Sequence, residues 1–389
     1  MGGSRVHREA TPQNEAQVTI LVSREGIATL IGGPMPMKVV DDDWIAVDHR
    51  GPMEGIDARK AAILLGIARR LAVDAFRKQS NGYIDCPARR SRRWGKTPAI
   101  EAFAQIVGRC LAEISVNAQL LRRASDREAL HQLRVGLRRL RAVLSTFESI
   151  LPADVLAGWS TEARWFAGRL DHARDLDVFI EYFVSSTGAR TSELPIASAF
   201  GERLLLAQAR AYDLVAAVVG AGRFAAFERE IGEWIGSAPS RRAGSGMGEM
   251  PDYGDVSGLV VKSLKRFHRQ LRKAGEHLAT LAPDDRHRVR IKAKKLKYVA
   301  SFFGDAFGAS TAKQQSKFLS SLTALQDALG ELNDLTASRA CALGVAGDSA
   351  ELAFYAGQVI GERNRSERKL VANAVRAYER WISAEPFWT

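Results

Sequence analysis

Cysteine is scarce in this sequence, and that scarcity limits how the chain can be held together. Only three cysteines occur among 389 residues, Cys86, Cys110 and Cys341, and they are far apart and odd in number. Neither a disulfide framework nor a four-thiolate zinc site is expected from such spacing. A reducing compartment suits the chain, and we expect a cytoplasmic protein.

Long apolar segments are lacking as well. The opening residues, MGGSRVHREATPQNEAQ, contain no apolar core of a signal peptide. No run of 18 apolar residues occurs, so the sequence predicts no membrane-spanning helix. Hydrophobic residues still make up 46% and charged residues 26%, a mix typical of a folded globular protein rather than a disordered one.

Motifs of catalysis and of cofactor binding are also missing. Gly95-Lys96-Thr97 looks like the end of a phosphate-binding loop, but Arg90 stands where that loop requires glycine. Neither an HExxH nor a GxSxG motif occurs. We therefore expect a binding module that is not an enzyme and holds no cofactor and no metal ion.

Positive charge is what the sequence has in excess. Lysine and arginine number 56 against 44 acidic residues, which gives a formal net charge of +12 and a pI near 9.8. Such an excess favours an anionic partner without naming it, so the placement of the charges has to identify the site.

The chain divides into a small N-terminal α+β segment and a mainly all-α remainder. Residues 1–95 predict short strands at 17–22, 27–31, 37–40 and 44–47, followed by a helix at 59–79. Helical periodicity dominates residues 96–389, with a first helical half at 96–236, a linker rich in Gly, Ser and Pro at 237–255 and a second half at 256–389. The predicted helices are 98–123, 126–149, 153–169, 173–187, 196–218, 221–235, 256–281, 284–304, 312–330, 333–346 and 349–382.

The two helical halves share two motifs in the same order. The pattern HxxRxxx(R/K)(R/K)L(R/K) begins at His131 and again at His287, 156 residues later. Segment 170–177 (LDHARDLD) parallels segment 329–336 (LGELNDLT), 159 residues later. Two matched motifs at nearly one offset predict a duplicated helical bundle.

Each copy of the first motif places its charges along one face of a helix. At 100° per residue, the first, fourth, eighth and eleventh positions fall within about 80° of one another, and the apolar positions lie opposite. The first basic stripe comprises His131, Arg134, Arg138, Arg139 and Arg141, with Arg139 at its edge. The second basic stripe comprises His287, Arg290, Lys294, Lys295 and Lys297, with Lys295 at its border.

The density of like charge on these stripes needs a physical reason. Residues Arg286–Lys297 carry seven cations and no carboxylate, and like charges four residues apart destabilise a helix. A bound polyanion would offset that cost. A solvated basic face is the alternative for one copy, but two copies with the same spacing favour a binding site.

The histidines and aspartates of the two motifs allow more than one role. Neither His131 nor His287 has a metal ligand at i+3 or i+4, so we expect each to donate a hydrogen bond to an anion. If they bind as cations, binding should strengthen below about pH 6.5. Asp175 lies near the start of a predicted helix, where aspartate normally acts as a cap. Alternatively, Asp175 and its counterpart Asp334 pair with an arginine of the stripe and hold it in place.

These motifs resemble those of the CHAD family, the conserved histidine α-helical domains. The doubled stripe motif, the RDLDV and LNDL segments, and the closing Glu385-Pro386-Phe387-Trp388 carry the resemblance over about residues 98–389. The resemblance implies two antiparallel helical bundles related by pseudo-two-fold symmetry, with both stripes facing a central cleft. It also implies binding of inorganic polyphosphate by the ten stripe residues and association with polyphosphate granules in bacteria. Phosphate contacts should be weaker in the second stripe, where lysine replaces arginine.

A CYTH triphosphatase-like domain often precedes a CHAD domain, but residues 1–95 depart from its pattern. That family needs an ExExK strand, and here only Glu15 of the stretch Glu15-Ala-Gln17 supplies a carboxylate. We interpret residues 1–95 as a degenerate CYTH-like remnant or an unrelated segment without triphosphatase activity.

Two other functions remain as hypotheses. A nucleic-acid-binding helical protein would also carry basic helices, but the stripes contain no stacking aromatics and only Gln132 to read a base. A triphosphate or polyphosphate hydrolase would need paired carboxylates to hold magnesium, and the sequence shows none.

Overall fold

The computed structural model describes Trp94, residues 97–186, 195–242 and 255–388, and the backbone of three strands near the N-terminus. These strands are β1 (Val18–Ser23), β2 (Met37–Val39) and β3 (Trp44–His49). Both β1 and β2 pair antiparallel with β3, so the strand order is β1-β3-β2. Val18 lies opposite His49, and Met37 lies opposite Val47.

The strands predicted at 17–22, 37–40 and 44–47 are therefore confirmed. The strand predicted at 27–31 and the helix predicted at 59–79 lie outside the described residues.

The helical part comprises, in the described residues, two sets of five α-helices and the short 3-10 helices Gly304–Phe307 and Ala309–Thr311. The first set is α1 (Ala99–Arg123), α2 (Arg127–Thr146), α3 (Ala153–Ser186), α4 (Pro195–Gly220) and α5 (Gly222–Arg242). The second set is α6 (Val256–Gly275), α7 (Pro283–Phe302), α8 (Ala312–Ala346), α9 (Ala350–Arg365) and α10 (Glu367–Ile382). The mainly all-α fold class is confirmed.

The two sets are copies of one five-helix unit. His131 is the fifth residue of α2 and His287 the fifth residue of α7. Arg174 and Asn333, matched in the second motif, are each the twenty-second residue of the long helices α3 and α8. Both motifs thus occupy the same positions in both units, and the predicted duplication is confirmed.

Two predicted helix breaks were wrong. The helix α3 runs without interruption through 170–172, and α8 runs through 331–332. The buried residues Leu170, Ala173 and Leu176 continue at helical spacing across the first of these positions, so the packing that holds α3 together does not stop there.

The predicted helix at 349–382 is instead two helices. The helix α9 ends at Arg365 and α10 begins at Glu367, and the N–H of Ser366 donates to the carbonyl of Arg363 at the junction. The two helices bury residues against different neighbours. Tyr355 of α9 packs against Phe200 of α4, whereas Trp381 of α10 packs against Phe318 of α8.

The predicted linker begins too early. The helix α5 continues to Arg242, beyond the predicted end at 235, and residues 243–254 lie outside the described part of the chain.

Contacts between the halves position the site. The helix α2 packs against α7, and α3 packs against α8, so the four helices that carry the motifs meet at the centre. Val256 N donates to the carbonyl of Thr97, which joins the start of α6 to the segment just before α1. Trp94 is buried against Phe303, so the helical body includes a residue before the predicted boundary at 96.

The C-terminal segment closes the second half. Phe387 and Trp388 are buried, and both rings contact Phe318 of α8. The carbonyl of Pro386 accepts a hydrogen bond from the Gln314 side chain. Packing is therefore the role of the closing Pro386-Phe387-Trp388 sequence.

Within the described residues no single helix is long and apolar enough to cross a membrane. The consecutive helices α4 and α5 pass the same length and composition test only as a pair, with a bend of 47° between them.

Candidate anion-binding site

A cavity of about 380 Å³ lies where α2 and α3 of the first half meet α7 and α8 of the second. Both motifs line it, and so does Glu367 of α10. The charged and polar lining residues from the first half are His131, Arg134, Arg138, Asp171, Arg174 and Asp175. Those from the second half are Asp284, Arg286, His287, Arg290, Lys294, Asn333, Asp334 and Thr336.

Three residues of each stripe face this cavity, and they are equivalent in the repeat. His131 matches His287, Arg134 matches Arg290, and Arg138 matches Lys294. The stripes thus face a common cleft between the halves, as expected from the resemblance. A solvated basic face does not describe them.

Arg139 does not line the cavity, although the sequence placed it in the first stripe. Its guanidinium donates to both carboxylate oxygens of Glu113, at 2.8 and 2.7 Å. Glu113 belongs to α1 and is only 3% exposed. Arg139 follows Arg138 by about 100° around the helix, which turns it from the cavity towards α1.

Lys295, the repeat counterpart of Arg139, does not line the cavity either. Its Nζ lies 4.3 Å from the centre of the Phe267 ring on α6. Burial, together with the positive charges of Arg266, Lys292 and Arg141, lowers the pKa of Lys295 to about 8.

The last position of each stripe lies one turn beyond the cavity lining. Burial lowers the pKa of Arg141, and the charge of Arg164 on α3 acts in the same direction. Lys297, its counterpart, is half-buried on α7. Of the ten predicted stripe residues, the structure thus brings six together around the cavity.

The first stripe is held by an acidic residue that the sequence reasoning did not single out. Arg134 forms an ion pair with Asp171 of α3. The equivalent position in the second half is Gly330, which has no side chain to pair with Arg290. In the second half, Nε of Arg290 is buried and has no hydrogen-bond partner among the described residues.

The cap interpretation of Asp175 was wrong, because Asp175 and Asp334 lie deep inside the continuous helices α3 and α8. Burial raises the pKa of Asp175, the charge of Arg134 opposes that shift, and the carboxylate of Asp334 reinforces it. The alternative, that each aspartate acts on an arginine of its own half, agrees with the attraction of Asp175 to Arg134 and of Asp334 to Arg290.

The two histidines have different partners. Burial lowers the pKa of His131 to about 4, and the neighbouring positive charge of Arg174 contributes to the shift. In the free protein His131 is therefore neutral near pH 7. Nδ1 of His287 donates to Oδ1 of Asn333, which is the repeat counterpart of Arg174.

Crowding of cations is strongest at Lys294. Burial lowers the pKa of Lys294 to about 6, and the charges of Arg290, Arg138 and Arg134 add to the shift. The Nε of Arg138 donates to the hydroxyl of Tyr298 at 3.4 Å, which ties the first stripe to α7. The cavity therefore holds several cations close together in a partly desolvated space.

A comparison with known protein families decides the classification. The profile of the CHAD domain matches residues 105–343, more than half of the chain. The chain belongs to the CHAD domain family. No curated protein matches it in sequence.

Solved structures with a similar fold include the following two. The CHAD domain from the plant Ricinus communis matches with a TM-score of 0.59 and 22% identity, over 75% of this chain and 94% of that one. PptA from Streptomyces chartreusis matches with a TM-score of 0.55 and 18% identity, over 73% of this chain and 100% of that one.

Two arginines of this CHAD domain line the cavity without having been predicted. Arg174 lies inside the second motif, but its counterpart is Asn333, so matching the repeats did not favour it. Arg286 lies one residue before the first motif and 3.8 Å from Glu367, a contact that depends on the packing of α10. The signal for Arg174 was present in the RDLD sequence.

Proposed function

We propose that this CHAD domain binds inorganic polyphosphate in the cavity between its halves. The observation that carries the proposal is the unsatisfied guanidinium nitrogen of Arg290. Its Nε is buried and has no hydrogen-bond partner among the described residues, while Arg134, Arg138 and Lys294 crowd the same space. A buried cationic donor without a partner is costly, and an anionic oxygen in the cavity would satisfy it.

The lining of the cavity favours polyphosphate over nucleic acid. Apart from the two histidines, the lining residues include no aromatic side chain, so bases would have no ring on which to stack. A linear chain of phosphates needs only cationic donors, because it has no bases. A cavity of about 380 Å³ is also too small to admit a duplex.

Binding rather than hydrolysis is part of the proposal. Among the described residues, no three His, Cys, Asp or Glu side chains are grouped to hold a metal ion. Asp171, Asp175 and Asp334 lie near arginines of the cavity, whose positive charges oppose the binding of magnesium there. We further propose a cytoplasmic location on polyphosphate granules, testable by whether a fluorescent fusion loses granule localisation when the cavity arginines are replaced.

The direct test is a titration of long-chain polyphosphate against the full chain and two double variants. Arg138→Glu with Lys294→Glu places two carboxylates in the cavity, and Arg210→Glu with Arg229→Glu places two carboxylates on exposed faces of α4 and α5. We expect the cavity variant to lose at least about a hundredfold in affinity, because two attractive contacts become repulsive. The control variant should bind much as the unaltered chain does.

Each outcome of this titration is decisive. No binding by the unaltered chain would overturn the proposed function, and equal binding by both variants would overturn the site. Displacement of polyphosphate by duplex DNA at equal phosphate concentration would favour the nucleic-acid hypothesis. Phosphate release in the presence of Mg²⁺ or Mn²⁺ would favour a hydrolase.

A further inference from the structure

The exposed face of α6 carries a second basic surface outside the cavity. The helix contains six cations and no carboxylate, and at 100° per residue all six lie within an arc of about 120°. We name this surface the outer stripe: Lys262, Lys265, Arg266, Arg269, Arg272 and Lys273. The apolar residues of α6, such as Leu264 and Leu271, are buried on the opposite side.

Packing does not account for the outer stripe. The equivalent helix of the first half, α1, also buries one face, yet its exposed residues include Glu101 as well as arginines. Apart from Arg266, the outer-stripe side chains are exposed, and Lys262, Lys265 and Arg269 have no ion pair within 4.0 Å in the described part of the chain. Among the described residues, only the ion pair of Arg266 therefore offsets the repulsion between the cations of α6.

A bridge of cations connects the outer stripe to the cavity. Arg141 follows the cavity residue Arg138 by one turn of α2, and its charge acts on Lys295. Lys295 and Arg266 lie over the same Phe267 ring, with Nζ at 4.3 Å and Cζ at 4.8 Å from its centre. The two cations are thus no more than about 9 Å apart.

Arg266 is the fixed member of this bridge. Its guanidinium donates to the carbonyl of Ser145, in the last turn of α2, at 2.6 Å. It also forms an ion pair with Glu148, which lies just after the end of α2. These contacts hold the outer stripe against the C-terminal end of α2, beyond the last residue of the first basic stripe. Glu148 is the one carboxylate paired with the outer stripe among the described residues.

The size of the cavity gives a reason for such an extension. At about 380 Å³ it has the volume of a small-molecule pocket, so a long linear polyanion must leave it. We infer that a long polyphosphate chain leaves the cavity past Arg141 and Lys295 and runs along the outer stripe of α6. This inference rests on the proposed function. It adds that the protein binds long polyphosphate chains more tightly than short ones.

The test compares short and long ligands on matched variants. Lys262→Gln, Lys265→Gln and Arg269→Gln together remove three charges from the outer stripe. Arg210→Gln, Arg229→Gln and Arg365→Gln remove three exposed charges from α4, α5 and α9. Affinities of the full chain and both variants for tripolyphosphate and for long-chain polyphosphate are measured at several salt concentrations.

We expect the outer-stripe variant to bind long-chain polyphosphate at least about tenfold more weakly, with its salt slope reduced by about two. Its affinity for tripolyphosphate should match that of the control, because the short ligand stays in the cavity. Thermal melting checks that both variants fold.

The outcomes separate this inference from the proposed function. If the unaltered chain binds neither polyphosphate, the proposed function fails. If it binds both and the outer-stripe variant behaves as the control does, the inference alone is overturned. The inference is also overturned if the variant weakens both ligands equally, or if it loses only the binding of duplex DNA.

Discussion

Phe147 packs against Phe303 with ring centres 5.9 Å apart, and the two residues are counterparts in the repeat. They are separated by 156 residues, the same offset that separates His131 from His287. Contact between a residue and its own counterpart places the pseudo-two-fold axis beside these rings. The axis therefore runs through aromatic packing at the ends of α2 and α7, while the basic residues of the same helices face the cavity.

This contact makes a prediction about stability. Both rings are fully buried, and Phe147 also contacts Phe103 while Phe303 contacts Trp94. Phe303→Ala should lower the free energy of unfolding by about 3–5 kcal/mol, since it leaves a cavity where the halves join. Urea denaturation measures the change, and Phe354→Ala, at a ring that is 70% exposed, is the control. Equal effects of the two substitutions would show that the rings do not hold the halves together.

A second prediction separates Arg139 from the binding site. Arg139 pairs with the buried Glu113, so Glu113→Gln should lower the free energy of unfolding by about 3 kcal/mol, the low end for breaking a buried pair because Arg139 stays partly exposed. Polyphosphate affinity of the folded variant should stay unchanged. Urea denaturation measures the change in stability, and titration with polyphosphate measures the affinity. A large loss of affinity would show that Arg139 contributes to polyphosphate binding.

Much of the fold was readable from the sequence because duplication repeats its signal. The motifs at His131 and His287 located the central helices, and the helix periodicity placed most of the other elements. The error at 170–172 has a physical origin, since polar residues on one face of α3 resembled a break while Leu170 and Leu176 continued on the other.

The site was less predictable than the fold, because the stripe pattern does not show what each side chain meets. Arg139 and Lys295 have the right charge, but their directions depend on Glu113 and Phe267 of neighbouring helices. The pKa shift of His131 likewise depends on burial and on Arg174 across the cavity. Such features follow from packing between helices that are distant in sequence.

The third prediction concerns pH at Lys294, and the pH dependence expected if the histidines bind as cations stays a separate prediction. The pKa of Lys294 is about 6 in the free protein, so this side chain is mostly neutral at pH 7. A bound phosphate favours the charged amine and raises that pKa, so binding takes up a proton. Affinity should therefore rise by up to about tenfold per pH unit as pH falls from 8 to 6, and level off below 6.

Lys294→Arg is the matched variant for this pH dependence, because arginine stays charged throughout the range. Long-chain polyphosphate is titrated against both proteins from pH 8 to pH 5.5, so that any titration of the ligand affects both alike. The slope should be lost in the variant. An equal slope in both proteins would assign the pH dependence to another group.

The fourth prediction uses the difference between the halves at Asp171 and Gly330. Asp171 competes with phosphate for Arg134, whereas Gly330 leaves Arg290 without such a competitor. Asp171→Asn should strengthen polyphosphate binding by about threefold or more, and Asp154→Asn, an exposed change of the same charge on α3, should not. Gly330→Asp is the reciprocal change, and beyond the adjacent backbone of α8 no atom lies within 4 Å of the Cβ it would add. It should weaken binding by pairing with Arg290. Titrations of long-chain polyphosphate measure all three, and weaker binding by Asp171→Asn would instead make Asp171 a residue that orients Arg134 for the ligand.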